Sequence, residues 1–264
     1  MEKKFNIAVL IDGDNAQPKL LKEIIEEVSK YGKATIRRIY GDWTTPQMNS
    51  WKAIINQHSI SPIQKFSYTT GKNSTDGSLI IDAMDILHGK NTEGFCIVSS
   101  DSDYTGLAKR IREEGLFVMG IGEKKTPAAF VKSCEVFTFT ENLKNEQSEQ
   151  NEQNEQNEQN EQNGTIKLKS SKQNTSLKSK ENLEKVRLSR EDLKTIDKAF
   201  DISTNEEENA YISTLGVNIR KIDPSFDPRS YGFKNLTRLF ENIDKYEVIK
   251  NEVGGLNHPL LRIK

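Results

Sequence analysis

The feature that most limits how this chain can fold is a low-complexity tract near its middle, residues 146–163, which contains no apolar side chain. The tract consists of six triplets, Glu-Gln-Ser followed by five repeats of Glu-Gln-Asn, and a lysine-rich polar stretch continues to about residue 182. A segment without apolar surface to bury gains nothing that offsets the entropy lost when it becomes ordered. We therefore predict a disordered linker over residues 144–183, with separate domains at 1–143 and 184–264.

The two predicted domains are electrically balanced, which limits what charge alone can attract. Residues 1–143 carry 18 basic and 18 acidic side chains, and residues 184–264 carry 14 of each. Because neither domain is basic overall, any contact with nucleic acid must come from local patches.

The sequence also indicates a cytoplasmic protein with no membrane partner. No apolar stretch approaches the ~18 residues that a membrane-spanning helix needs. The N-terminus leads directly into a predicted strand, without the pattern of a signal peptide. The two cysteines, Cys96 and Cys134, follow no metal-binding spacing and are typical of buried thiols in a reducing compartment. The sequence predicts no oligomeric state.

The first domain alternates predicted strands with predicted amphipathic helices. The strands are expected at residues 5–11, 34–40, 62–66, 94–99, 116–121 and 136–139, and the helices at 18–31, 45–57, 77–88, 104–114 and 127–133. Strands that are separated by helices pair in parallel, because each helix carries the chain back along the sheet. We predict an α/β fold with a doubly wound, mainly parallel, Rossmann-like sheet.

The second domain follows a different pattern of three helices and a small hairpin. A capping motif at Ser189 predicts the start of the first helix, and the next helices are expected at residues 207–220 and 232–242. Short strands at 246–249 and 260–263 are predicted to flank Gly254-Gly255. Three helices and a two-stranded wing describe a winged helix-turn-helix, a scaffold often used on nucleic acid.

Acidic residues follow the predicted strands of the first domain. Asp12 ends the first strand, Asp101 and Asp103 follow the fourth, and Asp76 and Asp82 lie at the start of a helix and within it. Strand ends meet at one edge of a parallel sheet, where ligands bind. Carboxylates that repel each other gain most at such an edge when a divalent cation lies between them. The pattern predicts a Mg²⁺ or Mn²⁺ site that cleaves phosphodiesters.

Each acidic residue also has a structural interpretation. Asp76 suits the N-cap of its helix as well as a metal site. Asp82 lies six residues later, about 240° around the helix, so it can join the site only if Asp76 precedes the regular turns. One of Asp101 and Asp103 is expected to cap the next helix while the other faces the metal. Beyond Asp12, Asn15 is the candidate for orienting the substrate or a ligand carboxylate.

These residues resemble the NYN domain, a branch of the PIN-like nucleases. The matching segments are Leu10 to Asn15, then Lys72 with Asp76 and Asp82, and finally Val98 to Tyr104. The resemblance implies Mg²⁺- or Mn²⁺-dependent cleavage of RNA, with Asp12, Asp76, Asp101 and Asp103 in the acidic pocket and Asn15 beside them. One departure affects the loop before Asp76, because the family often has glycine after the lysine and this chain has Asn73.

The second domain resembles the OST-HTH (LOTUS) domain, chiefly through Phe226 to Leu236. The resemblance implies an RNA-binding module, and its candidate RNA contacts are Arg229, Tyr231, Lys234 and Arg238. The tyrosine would stack on a base, and the basic residues would meet phosphates. Alternatively, Tyr231 belongs to the core of the domain.

The sequence leaves three functions open. The leading one is a metal-dependent ribonuclease, in which water attacks the phosphate in line and leaves a 5′-phosphate, as the resemblance implies. Lys72 would contact a neighbouring phosphate, and the choice between endo- and exonucleolytic cutting stays open. The second is a catalytically weak or inert RNA-binding adaptor on the same scaffold. The third is a phosphatase with Asp12 as nucleophile, although Asn15-Ala16 departs from the usual motif of that class.

Overall fold

The computed structural model describes residues 5–66, 74–144 and 188–264. The first of the two predicted domains contains a six-stranded sheet in the order β3-β2-β1-β4-β5-β6, and every neighbouring pair is parallel. Its strands are β1 Phe5–Asp12, β2 Gly32–Gly41, β3 Ser61–Gln64, β4 Gly94–Val98, β5 Phe117–Gly122 and β6 Val136–Phe139. This topology confirms the predicted α/β class.

Helices cover both faces of the sheet. They are α1 Leu21–Ser29, α2 Asn49–Lys52, α3 Ser74–His88, α4 Thr105–Glu113 and α5 Ala128–Ser133. Side chains of a strand alternate between the two faces, so β1 supplies Ile7 and Val9 to the apolar cluster beneath α1 and α2. Its intervening residues, Ala8 and Leu10, enter the cluster beneath α3, α4 and α5. A strand buried on both faces explains why β1 is apolar almost throughout.

The register of the strands brings their carboxyl ends to a common edge. Asp12 is paired with Tyr40, and Ile11 lies beside Val98, which in turn pairs with Ile121. The segments that follow β1, β2, β4 and β5 therefore all leave from one edge, which is where the acidic residues were expected to meet.

The second helix is shorter than predicted. A 3₁₀ turn at Pro46–Met48 leads into α2, which ends at Lys52, although the sequence favoured a helix to residue 57. Its buried Trp51 donates a hydrogen bond of 3.0 Å from Nε1 to the carbonyl of Gly13. The tryptophan thus ties this segment to the loop after β1, and the chain then turns towards β3.

Residues 188–264 contain the predicted helical domain with its wing. The helices are α6 Arg190–Ser203, α7 Ile212–Ile222 and α8 Leu236–Glu241, and the strands are β7 Ala210–Tyr211, β8 Tyr246–Ile249, β9 Glu252–Val253, β10 Leu256–Asn257 and β11 Leu260–Ile263. Antiparallel pairing gives the order β7-β11-β8, with a β9-β10 hairpin. The capping box at Ser189 is present, with reciprocal bonds between Ser189 and Asp192.

Two helices of this domain begin later than predicted. The sequence placed a helix at 207–220, but Ala210 and Tyr211 pair with Leu261 and Leu260, so strand pairing delays α7 to Ile212. The third helix was expected from residue 232.

Gly232 instead adopts a φ of +78°, which a right-handed helix does not accommodate. The helix α8 begins only after Asn235, whose side chain accepts a hydrogen bond of 3.0 Å from the Arg238 N–H. The wing turns at Gly254 and Gly255, with φ of +61° and +79°, the left-handed pair that a tight hairpin needs.

The predicted linker lies outside the described residues except for Lys144, so the boundaries 1–143, 144–183 and 184–264 stay predictions. Among the helices that the structure describes, none combines the length and apolar character needed to cross a membrane.

Candidate metal centre

Three carboxylates converge at the carboxyl edge of the sheet. Asp76, Asp101 and Asp103 each offer one oxygen, and these oxygens all lie within 4.8 Å of one another. The residues come from the first turn of α3 and from the segment between β4 and α4. Chain segments that are distant in sequence thus meet at this edge.

The segment after β4 is held by its own backbone. A 3₁₀ turn at Ser102–Tyr104 precedes α4, and Asp101 caps it by accepting a hydrogen bond of 3.0 Å from the N–H of Asp103. The N–H of Asp101 in turn donates to Ser99 Oγ at 3.1 Å. Asp101 therefore both caps the turn and lies with the other two carboxylates, although the sequence had offered these as separate roles.

Asp12 lies buried beneath this group, with no solvent exposure. Its Oδ2 accepts hydrogen bonds from Asn15 Nδ2 at 2.7 Å and from Ser99 Oγ at 2.9 Å, while Oδ1 accepts the Asp14 N–H at 3.2 Å. A buried carboxylate without such donors would carry a large desolvation cost. Asn15 was predicted to orient the substrate or a ligand carboxylate, and in this structure its amide donates to the Asp12 carboxylate.

Tyr104 connects the buried Asp12 to the three-carboxylate group. Its hydroxyl lies 2.7 Å from Asp76 Oδ1 and 3.3 Å from Asp12 Oδ2. Ser99 makes a second connection, because it donates to Asp12 and accepts from Asp101. Neither residue was among the site residues that the sequence predicts. The signal was their position, since both flank the Asp101 to Asp103 motif.

Burial shifts the protonation of both linked carboxyls. Desolvation raises the pKa of Asp12 above its ordinary value of 3.8, against the opposing effect of its hydrogen bonds to Asn15 and Ser99. Desolvation is also the largest cause of the raised pKa of Asp76, and repulsion from Asp12, Asp101 and Asp103 adds to it. A divalent cation would remove the repulsion and favour the ionised forms.

Asp82 does not join the three carboxylates. Because α3 begins at Ser74, Asp76 already lies on the regular helix, and a residue six positions later points elsewhere. Asp82 forms an ion pair with Arg38 and accepts a hydrogen bond from the Tyr40 hydroxyl. Its predicted role as a metal ligand has no support from this geometry.

The remaining candidates concern RNA. Lys72 lies outside the described residues. Arg229 and Tyr231 lie half-buried in a 3₁₀ turn at Pro228–Tyr231, whereas Lys234 and Arg238 are exposed. Arg238 also forms an ion pair of 2.8 Å with Glu241 on α8.

The donor set of the centre suits a hard cation. All three converging groups are carboxylates, and oxygen is the ligand that Mg²⁺ and Mn²⁺ prefer. The acidic group on this fold is therefore compatible with a divalent metal ion, and Asp76, Asp101 and Asp103 are the residues that could hold it.

The raised pKa values predict how the stability of the metal-free protein depends on pH. Above 3.8 and up to the raised values, the folded state binds more protons than the unfolded chain, so the free energy of unfolding falls as pH rises through that window. We expect Asp76→Asn to flatten part of this fall. Both tryptophans, Trp43 and Trp51, lie in the first domain, so their fluorescence during thermal unfolding in EDTA reports on it.

The control is Asp85→Asn, which changes an exposed carboxylate on the same helix. It measures the effect of removing one carboxylate of α3 that lies outside the three-carboxylate group. Identical slopes for the wild type and Asp76→Asn would contradict the raised pKa of Asp76.

Two protein-family models match the chain. Residues 6–144 match the NYN domain and residues 188–258 match the OST-HTH/LOTUS domain, in that order. A PIN-like nuclease domain and an RNA-binding domain together support a nuclease that binds RNA. No curated protein matches the chain.

Two solved structures are similar to parts of it. One is a protein of unknown function from Vibrio parahaemolyticus, 17% identical over 52% of this chain and 93% of its own, with a TM-score of 0.44. The other is an uncharacterized protein from Nitrosomonas europaea, 23% identical over 36% of this chain and 92% of its own, with a TM-score of 0.28. The NYN family model matches residues 6–144, which is more than half of this chain, and the chain therefore belongs to the NYN domain family.

Proposed function

We propose that this protein is a metal-dependent ribonuclease that hydrolyses RNA phosphodiester bonds at the acidic edge of its NYN domain. The observation that carries the proposal is the convergence of Asp76, Asp101 and Asp103 at the carboxyl edge of the sheet. Three like charges held this close cost free energy in the absence of a cation. A purely structural domain would gain nothing from placing three carboxylates together, whereas a metal centre requires such a placement.

The carboxylates divide the work between them. Asp76, Asp101 and Asp103 would hold Mg²⁺ or Mn²⁺, and Asp12 would support them from below through the Tyr104 and Ser99 hydroxyls. Asn15 would fix the orientation of Asp12 by its hydrogen bond of 2.7 Å. When bound, a divalent cation supplies Lewis acidity, which offsets charge on the phosphate and lowers the pKa of water.

The burial of the side chains determines the side from which RNA would reach the centre. Asp103 is exposed while Asp12 is fully buried, so an incoming phosphate would approach from the solvent side of the group. Attack by water in line with the leaving oxygen would yield a 5′-phosphate and a 3′-hydroxyl. Asp82 would have a structural role instead, because Arg38 donates a hydrogen bond to one of its oxygens and Tyr40 donates to the other.

The OST-HTH/LOTUS domain would provide RNA affinity separately from cleavage. Lys234 and Arg238 are exposed at and near the start of α8, where their charges can meet phosphates. Tyr231 and Arg229 are half-buried, so their contribution to RNA contact would come from the turn at Pro228–Tyr231. Charge is balanced over the whole domain, which makes these local positions the ones to test.

Cleavage should depend on the carboxylate group and on the cation. We expect Asp101→Asn to lower the rate of cleavage of single-stranded RNA in Mn²⁺ by about 10²-fold or more, because it removes a charged ligand from the centre. EDTA should abolish the wild-type reaction. The measurement is gel analysis of end-labelled RNA, with analysis of the product termini.

The matched control is Asp85→Asn, which removes an equal charge from an exposed site on α3. It should cleave as the wild type does. Equal cleavage by the wild type and Asp101→Asn would refute the centre, since a contaminating nuclease would then explain the activity. RNA binding without cleavage by any preparation would identify an inert adaptor.

RNA affinity should depend on the basic residues at the start of α8. We expect the double variant Lys234→Ala/Arg238→Ala to bind single-stranded RNA more weakly and with a shallower salt dependence, by about one to two units of log–log slope. Fluorescence anisotropy at several salt concentrations measures both quantities. Lys194→Ala/Lys198→Ala on α6 is the control with the same number of exposed charges removed. Equal effects of the two pairs would indicate a non-specific loss of charge.

A further inference from the structure

Tyr104 is a buried residue whose ring is fixed by the core. It follows directly after the Asp101 to Asp103 motif, at the end of the 3₁₀ turn, and has no solvent exposure. The ring belongs to the apolar cluster beneath α3, α4 and α5, and it packs at a tilt of 46° against Phe130, with 6.3 Å between centroids. Because the ring is held on its apolar side, the hydroxyl has little freedom to move.

The hydroxyl lies between two carboxylates from different chain segments. It is 2.7 Å from Asp76 Oδ1, on α3, and 3.3 Å from Asp12 Oδ2, at the end of β1. A phenol has one proton to donate, so the shorter contact identifies Asp76 as its principal acceptor. Asp12 has other donors in Asn15 and Ser99.

We propose that Tyr104 is a positioning residue of the metal centre, which holds Asp76 in place beside Asp101 and Asp103. This inference rests on the proposed function, because it assumes that the three carboxylates bind a cation. Tyr104 would not touch the metal or the RNA. Its effect would pass through the orientation of a single carboxylate.

The need for such a residue follows from repulsion. Asp76 is partly exposed and lies within 4.8 Å of two other carboxylate oxygens, so its side chain is driven to rotate away from them. A hydrogen bond to a charged acceptor opposes that rotation, and the buried ring gives the donor a fixed place. Holding a ligand in position before the cation arrives lowers the entropy lost on binding.

The same domain contains a matched tyrosine. Tyr40 on β2 is also fully buried, and its hydroxyl donates to Asp82, which lies on the same helix as Asp76. Replacing either tyrosine by phenylalanine removes one hydroxyl from the core and one donor from an aspartate of α3. Of these two tyrosines, Tyr104 is the one whose hydroxyl donates to an aspartate of the three-carboxylate group.

The test compares Mn²⁺ binding by the full chain in the wild type, Tyr104→Phe, Tyr40→Phe and Asp76→Asn. Binding is measured from the loss of the electron paramagnetic resonance signal of free Mn²⁺, without RNA. We expect Tyr104→Phe to raise the Kd for Mn²⁺ about tenfold, because substituting a residue that hydrogen-bonds to a metal ligand commonly weakens metal binding by that factor or more. Tyr40→Phe should leave the Kd unchanged. In RNA cleavage, Tyr104→Phe should need about tenfold more Mn²⁺ for half-saturation and then approach the wild-type rate.

The outcomes separate the inference from the proposed function. If Tyr104→Phe binds Mn²⁺ as tightly as the wild type while Asp76→Asn binds poorly, the metal centre stands and the positioning role is overturned. If Asp76→Asn binds as tightly as the wild type, the metal centre itself is overturned. If both tyrosine variants lose affinity equally, a general loss of packing explains the effect and the inference fails.

A second measurement does not depend on how a variant folds. Crystal structures of the wild-type protein with and without Mn²⁺ should both show the Tyr104 hydroxyl within hydrogen-bonding distance of Asp76. A metal-bound structure in which the two have separated would overturn the inference.

Discussion

The repulsion among carboxylates at one edge of the parallel sheet is the constraint on which this structure depends. Asp76, Asp101 and Asp103 meet within 4.8 Å, above an Asp12 that is fully buried. Hydrogen-bond donors offset part of the cost, since Asn15 and Ser99 donate to Asp12 Oδ2 and Tyr104 donates to Asp76 Oδ1. The part that hydrogen bonds do not offset is what a divalent cation would relieve. The acidic group is therefore compatible with a divalent metal ion.

The fold supplies the convergence without special local geometry. Parallel pairing of β1 with β4 places Asp12 next to the segment that carries Asp101, and α3 brings Asp76 across the edge. The hydroxyls of Ser99 and Tyr104 then join these segments into one hydrogen-bonded group. The sheet fixes the backbone positions, and the buried hydroxyls fix the side chains.

The sequence predicted those properties that depend on local pattern. The alternation of apolar strand patterns with amphipathic helix patterns was enough to predict the parallel sheet, whereas the domain boundaries placed around the polar tract stay predictions. The sequence was misleading where tertiary contacts decide, as at Tyr211, which pairs with β11 instead of lying within the helix predicted over residues 207–220. Likewise, the start of α3 at Ser74 removes Asp82 from the group, because a shift of a few residues redirects a helical side chain. Tyr104 was overlooked because a buried aromatic residue reads as core, and its hydroxyl acquires a role only when distant carboxylates are brought beside it.

Locating the cation itself is the most direct test of the proposed metal centre. Crystals of the protein grown with Mn²⁺ and measured at a wavelength where manganese scatters anomalously would show where the ion lies. We expect an anomalous peak in contact with carboxylate oxygens of Asp76, Asp101 and Asp103. A peak only at other acidic residues, such as Asp82 or Asp85, or no peak in crystals with saturating Mn²⁺, would contradict it.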